Sequence, residues 1–338
     1  MVPALRIRIW PTTPWRIGSD SGDRDQAGLV YHSDSLFSAV CQSFARLDLL
    51  DTWLAATVVA PDPAVRFTSC FPFLEDSLFV PPPQTLWPPA ASPKVRWKAV
   101  RFVPVDLVRA LQTGQAVADD RWIVDPASGC LLALDRRGEA VGPFRPTTRL
   151  MAAVDRVTGG AVAPHRVLGV EYAPGAGLWC AALFRDSEAL TEWRPRLEAA
   201  FRWLCDSGFG GRRSLGFGRA AAPDFAESSW PALVRGEFAE PARNGGWWML
   251  SLFSPSADDA LDWSSGCYRL LARSGRIESR SGWGTQKLSL RMLEEGSVVA
   301  AAQVPLGAAF DVAPPGFPHP VWRAAFAAAV PLQAPEAA

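Results

Sequence analysis

Two apolar periods alternate along the first half of the chain. Residues 5–10 switch between apolar and polar at every step, as a half-buried strand does. Leu36, Phe37, Val40, Cys41, Phe44 and Leu47 then recur at spacings of three and four, which predicts an amphipathic helix with Ser33 or Asp34 as its cap. Residues 66–73 read as the next strand, ending in Phe71-Pro72-Phe73. Proline is too dense over 80–93 for a sheet core or a helix, so an inserted arm of about residues 80–150 is expected to begin there. Within it, residues 94–103 alternate as a strand with one basic edge, 106–111 read as a short helix, and 119–146 as irregular chain. Residues 167–172 and 178–184, parted by Pro174-Gly175-Ala176-Gly177, predict a hairpin.

A second helical stripe, Leu197, Ala200, Phe201 and Leu204, follows Pro195, which suits a first turn, and precedes Gly208, which suits a C-terminal cap. Residues 217–222 read as a short strand before Pro223. Strand, helix, strand, arm, strands, helix, loop and strand fit a ferredoxin-like βαββαβ unit over residues 1–222. Residues 226–244 form a polar connection, and strand patterns recur at 247–253, 268–272, 298–304 and 324–330. The expected fold is α+β: two ferredoxin-like (RRM-like) domains, the second over 223–338 and more degraded, with the arm inserted in the first.

Composition narrows the chemistry. At 338 residues and 49% hydrophobic, the chain has ample apolar content for two cores. A formal net charge of zero excludes a global basic field, so any polyanion must be held by a local patch. Lysine occurs only at 94, 98 and 287, while arginine, alanine and proline abound, which points to a GC-rich genome rather than to function. The six cysteines are scattered without a C-x-x-C pair, and the three histidines lie far apart. No zinc-ligand spacing results, and neither metal nor cofactor is expected. The first ten residues do not resemble a secretory segment, and no apolar stretch is long enough to span a bilayer, so a cytoplasmic location is expected.

One stretch concentrates binding chemistry. Residues 208–219 hold five glycines (Gly208, Gly210, Gly211, Gly216, Gly218), three arginines (Arg212, Arg213, Arg219), Ser214 and no acid. Glycines admit positive φ and close approach of phosphates, and arginine forks match phosphate oxygens. The helix-then-strand order and the lack of lysine exclude a Walker loop and a dinucleotide fingerprint. Composition alone fits a polyanion grip and a surface turn with incidental arginines equally well. His32 sits at the start of the first helix, where it reads as a histidine that hydrogen-bonds locally. His165 and His319 sit beside prolines and read as structural, and adjacent Glu294 and Glu295 read as a solvated turn rather than a catalytic pair. Of adjacent Trp247 and Trp248, at most one is expected to face the core, leaving the other to meet a partner.

Taken together, these segments resemble the RAMP superfamily of CRISPR proteins, and within it the family of fourth Csm subunits of type III-A effector complexes. The resemblance rests on His32 to Ala39 (His-Ser-Asp-Ser-Leu-Phe-Ser-Ala), on Phe71-Pro72-Phe73 followed by Val80-Pro81-Pro82-Pro83, and on the basic segment 94–102. It extends through Arg156-Val157-Thr158-Gly159 and the loop 210–218 to Glu295-Gly296-Ser297-Val298, Gly307, Asp311-Val312, Pro314 and His319-Pro320-Val321. The chain departs from the family where Trp322-Arg323-Ala324-Ala325-Phe326 lacks a glycine. The resemblance implies a non-catalytic scaffold that binds the 5′ tag of a crRNA. Its implied partners are the large polymerase-like subunit and a backbone RAMP subunit, with no membrane. The implied RNA-binding residues are Gly208, Gly210, Gly211, Arg212, Arg213, Ser214, Gly216, Gly218 and Arg219, with His32, Lys94, Arg96, Lys98 and Arg156. The alternative within the superfamily is a precursor-crRNA endoribonuclease that uses His32.

Overall fold

The computed structural model describes residues 1–18, 28–89, 95–115, 117–134, 140–236, 246–279 and 282–332. The chain opens with β1 (Val2–Ile9), α1 (Ser33–Arg46), α2 (Leu50–Ala56), and two short strands, β2 (Val65–Phe67) and β3 (Phe71–Leu74). Next come β4 (Ser77–Val80), β5 (Val103–Pro104), α3 (Val105–Gln112), a small hairpin of β6 (Trp122–Val124) and β7 (Leu131–Ala133), and a long hairpin of β8 (Phe144–Val154) and β9 (Ala161–Tyr172). The chain returns through β10 (Ala176–Phe184), α4 (Ser187–Ser207), β11 (Asp224–Trp230) and α5 (Ala232–Arg235). The main sheet runs β11-β1-β10-β3-β4-β5, with β2 also on β10, and every pairing is antiparallel.

β10 explains the sheet. All nine of its residues are buried, because it sits centrally and both of its faces are covered. Leu178, Cys180, Ala182 and Phe184 meet the core under α1 and α4, with Leu5, Ile7, Phe44, Leu197 and Phe201. Trp179, Ala181 and Leu183 point the other way, toward Phe71 and Phe73 and toward Trp248, Leu250 and Val330 of the second half. Burying each large apolar side chain contributes about 1.5–3 kcal/mol. The predicted hairpin between 167–172 and 178–184 is therefore not formed. β9 pairs with β8, and β10 fills the slot between β1 and β3. A strand apolar on both faces needs two neighbours, and the apolar pattern does not name them.

Other boundaries move for local reasons. α4 starts eight residues before Pro195, at Ser187, because the Asp186 carboxylate accepts from the Ala189 amide (2.7 Å), so Pro195 lies inside the helix. The last strand of the sheet is β11, after Pro223, and not residues 217–222. Residues 66–73 split because the Thr68, Ser69 and Cys70 amides bond Ala181, Leu250 and Tyr31 carbonyls, respectively. The expected basic strand is a 3-10 turn, Val95–Ala99, pinned by buried Trp97, whose carbonyl accepts from the Trp87 indole (3.1 Å). Residues 119–146, expected to be irregular, include the β6–β7 hairpin and the start of β8.

The second half comprises β12 (Gly246–Met249), β13 (Leu261–Cys267), β14 (Leu270–Arg273), β15 (Arg276–Ser279), β16 (Gly282–Gln286), β17 (Leu290–Leu293), β18 (Val298–Ala301), β19 (Gly307–Asp311), β20 (Trp322–Phe326) and β21 (Ala329–Pro331). β13-β18-β12-β21 form a sheet, and β14–β17, β15–β16 and β19–β20 form separate pairs. Among the described residues of 246–332 there is no helix, in line with the lack of a 3.6-residue apolar period there. The segment that lacks the family's glycine forms regular β20, with Ala324 and Ala325 buried. The halves share their cores, and Trp230 Nε1 donates to the Ala329 carbonyl across the seam (2.8 Å). Trp248 is fully buried in that shared core, while Trp247 is half-buried. Among the described residues, no helix is long and apolar enough to cross a membrane.

Candidate nucleic-acid interface

The loop after α4 has a tightly closed base and an open tip. Gly208 caps α4 at φ 81°. Gly218 takes φ 84°, and a Cβ there would lie 2.1 Å from the Phe209 carbonyl oxygen, so only glycine fits. Phe209 and Phe217 are buried, with Phe209 edge-on to Trp15 (4.5 Å) and Tyr31 (5.3 Å). The amides of Gly208, Phe209, Gly211, Gly216 and Gly218 donate to Leu204, Gly218, Arg16, Arg213 and Pro14 carbonyls. These glycine amides are thus committed to protein carbonyls. Through Gly211 and Gly218 the loop base is held against the 11–17 segment.

What the tip displays is side chain. Arg213–Leu215 make one 3-10 turn, preceded by Arg212 in the left-handed region (φ 61°), and Ser214 and Arg219 are exposed. Around Gly216 there is open space, with no heavy atom within 4 Å of a Cβ placed there. Arg213 donates to Glu278 Oε1 (2.6 Å), drawing the tip toward the second half.

The long hairpin flanks this loop. Arg149 lies over the Phe217 ring (5.2 Å), and Arg16 donates to the Leu168 carbonyl (2.8 Å). Thr148, His165, Arg166 and Leu168 line a groove of about 440 Å³ beside that contact. Sequence reading missed exposed Arg149 and Arg166, which lie as isolated arginines, while Arg16 is buried. Arg156 is at the other end of the hairpin, in a turn where the Asp155 carboxylate accepts from Val157 N and Thr158 Oγ1. Register puts that turn roughly 23 Å of strand away from Gly169, which packs on Phe217. Arg96 and Lys98 are exposed on the 3-10 turn, where Arg96 stacks on Trp97, and Lys94 lies outside the described residues.

His32 belongs to a different, interior site. Only 9% exposed, it precedes α1, and its Nδ1 is 2.8 Å from Glu295 Oε1. Ser69 Oγ donates to the same carboxylate oxygen. Burial pushes the imidazole pKa down, but the charge and hydrogen bond of Glu295 outweigh this and leave it raised. Glu295 is held low by His32 and Ser69 despite its burial. Glu295 is therefore not in a solvated turn, while Glu294 pairs with Arg269 at the surface (3.3 Å). Nor does Asp34 cap α1. Its carboxylate receives Arg273 (Nη2–Oδ1 3.1 Å) and Arg323, and these cations overcome desolvation to hold its pKa at about 2. Ser33 does not cap either: its amide donates to Ser69 Oγ (2.8 Å) and its hydroxyl accepts from the Leu252 amide (3.0 Å). The His-Ser-Asp segment is the joint between the halves. No sequence signal pointed to Arg273, Arg323 or Glu295 as its partners, because they lie 239 to 289 residues from Asp34 or 263 from His32.

Residues 243–332 match the family model described as the CRISPR Csm4 C-terminal domain. No curated protein matches the sequence. Over 98% of its length the chain is similar to the whole of a chain from the Csm3-Csm4 subcomplex of the type III-A CRISPR-Cas interference complex, at 14% identity and TM-score 0.64. It is similar over 99% of its length to the whole of a chain from the Csm1-Csm4 cassette in complex with pppApA, at 13% identity and TM-score 0.59. At such identities the likeness is one of fold, and it runs from end to end. The chain thus carries a region that matches the Csm4 C-terminal domain model, within a fold similar from end to end to chains of Csm4-containing complexes.

Proposed function

We propose that the chain is a non-catalytic, RNA-binding scaffold subunit of a type III-A Csm effector complex in antiviral defence. It holds the 5′ tag of the crRNA, sits beside the large polymerase-like subunit, and starts the row of backbone RAMP subunits. Csm1 and Csm3 accompany Csm4 in the similar structures, and the corresponding subunits are this chain's assigned partners. The observation that carries the RNA reading is the rigid loop base with cationic side chains at its tip, flanked by exposed Arg149 and Arg166. Single-stranded RNA is gripped by phosphate contacts with its bases splayed onto protein surfaces, which such a tip and groove suit.

The finer fold assignment rests on strand order. Along the chain, the strands of the first unit are β1, β2 with β3, β10 and β11, and side by side they read fourth, first, third, second. That order supports a ferredoxin-like first domain, which extends through β11 and α5, with the second domain following. His32, buried against Glu295, has the surroundings of a structural residue, which disfavours the endoribonuclease alternative.

The test has two arms. Complex co-expressed with its large and backbone subunits is purified, and its RNA content is read from absorbance at 260 and 280 nm. Replacing Arg212 and Arg213 together by alanine is expected to lower RNA retention in complexes that still assemble, and unchanged retention overturns RNA binding by the loop. Separately, the protein is incubated with a labelled repeat hairpin in EDTA. Intact RNA is expected, and cutting that His32→Ala abolishes overturns the scaffold reading.

A further inference from the structure

The loop's two adjacent arginines are not equivalent. Arg213 is one of three side chains, from three distant segments, that close a ring. Its Nη2 donates to Glu278 Oε1 of β15 (2.6 Å), and its Nη1 faces Gln42 Oε1 of α1 (3.4 Å). Gln42 Nε2 donates to the other carboxylate oxygen of Glu278 (3.0 Å), which closes the ring. The ring is partly exposed, with the Arg213 side chain at 30% and that of Glu278 at 38%, so it directs the loop more than it stabilises the fold. A guanidinium already facing a carboxylate presents little net charge, and meeting a phosphate would open the ring.

Arg212 is the opposite case. Its side chain has neither a hydrogen bond nor an ion pair among the described residues, and it occupies a left-handed backbone conformation (φ 61°) that arginine rarely adopts. Strain of this kind gathers where a side chain must be aimed. Arg213, the next residue, starts the 3-10 turn and is tied by the ring, which fixes the direction in which Arg212 leaves the backbone.

We propose that Arg213 is a positioning residue held by Gln42 and Glu278, and that Arg212 is the loop arginine that meets the RNA phosphate. The proposal rests on the RNA-binding reading of the loop. It makes α1 and the second half contributors to RNA affinity without touching RNA.

The experiment measures binding of the full chain to a fluorescent single-stranded RNA by anisotropy, over a series of salt concentrations. Arg212→Ala is expected to weaken binding about tenfold and to make the slope of log affinity against log salt shallower by about 0.7, one phosphate contact's worth. Arg213→Ala and Glu278→Gln are expected to weaken binding by similar, smaller factors with the slope unchanged. The charge swap Arg213→Glu with Glu278→Arg re-forms the ring and is expected to restore affinity. A shallower slope in Arg213→Ala, with wild-type affinity in Glu278→Gln and no rescue by the swap, overturns the proposal while leaving the RNA reading intact. Absence of RNA binding by the wild-type chain overturns that reading and the proposal with it.

Discussion

Helix α1 meets the second half of the chain at two points that treat charge in opposite ways. At its first turn, Asp34 faces Arg273 and Arg323 in the interior, where the two arginines are 9% and 6% exposed. Eight residues further on, Gln42 joins Glu278 and Arg213 in a ring that water reaches. The chemistry is the same, carboxylate against guanidinium, but the surroundings differ. Two unit charges 4 Å apart attract by about 1 kcal/mol in water and by about 4 kcal/mol at the effective dielectric typical of proteins. Buried charge without its partner is strongly penalised, whereas an exposed pair opens at little cost. The first contact therefore locks the fold, and the second remains free to adjust a binding surface.

The largest expected effect breaks the buried side of this contrast. Asp34→Ala strands two buried arginines and is expected to destabilise the chain by about 3–5 kcal/mol, read from urea unfolding followed by tryptophan fluorescence. Next comes the loop base, which lies near the exposed contact but is itself unforgiving. Gly218→Ala adds a Cβ against the Phe209 carbonyl at positive φ and is expected to cost about 2–3 kcal/mol in the same measurement.

The His32–Glu295 pair supplies the third effect and a pH signature. The imidazole pKa is raised in the folded state, so its stabilising share is complete below the unfolded value of about 6.5 and is lost as pH rises through the folded value. The carboxylates run the other way. Asp34 and Glu295 are depressed, and their share is present above their unfolded values near 4 and is lost on acidification, for Asp34 toward pH of about 2. His32→Gln is expected to cost about 1–2 kcal/mol at pH 6 and to remove the alkaline slope, measured as the unfolding midpoint across pH 5–9. The smallest effect tests the exposed side: Glu278→Gln is expected to shift stability by no more than about 1 kcal/mol. A loss as large as that of Asp34→Ala would erase the contrast between the two contacts.

Much of the first unit was legible in the sequence. The period of α1 as far as Phe44, the buried face of α4 from Leu197 to Leu204 and the cap at Gly208 all follow from local spacing and are present. Leu47, expected on the α1 stripe, lies past the helix end and is exposed. Partner choice was not legible. Nothing in residues 167–184 says that β9 turns to β8 while β10 inserts beside β1, because a strand pattern records which faces are buried and not which edges are paired. The basic strand expected from 94 to 103 gave way to a turn because one side chain, Trp97, had a pocket to fill. The loop was found by composition, but the packing role of Gly211 and Gly218 was not legible, since their amides bond Arg16 and Pro14 some two hundred residues upstream. The polar segment at His32 misled for the same reason. Its charged partners are set by the tertiary fold, and a sequence window holds only one side of the pairing.

The joint at Asp34 also bears on how such chains can be recombined. A hybrid that joins residues 1–236 of this chain to the second half of a relative would retain its first carboxylate while drawing both guanidinium groups from another lineage. Unless positions 34, 273 and 323 travel as a set, the hybrid buries an unmatched charge however well its two backbones superpose. Three residues spread over nearly the whole chain thus form a single unit of exchange.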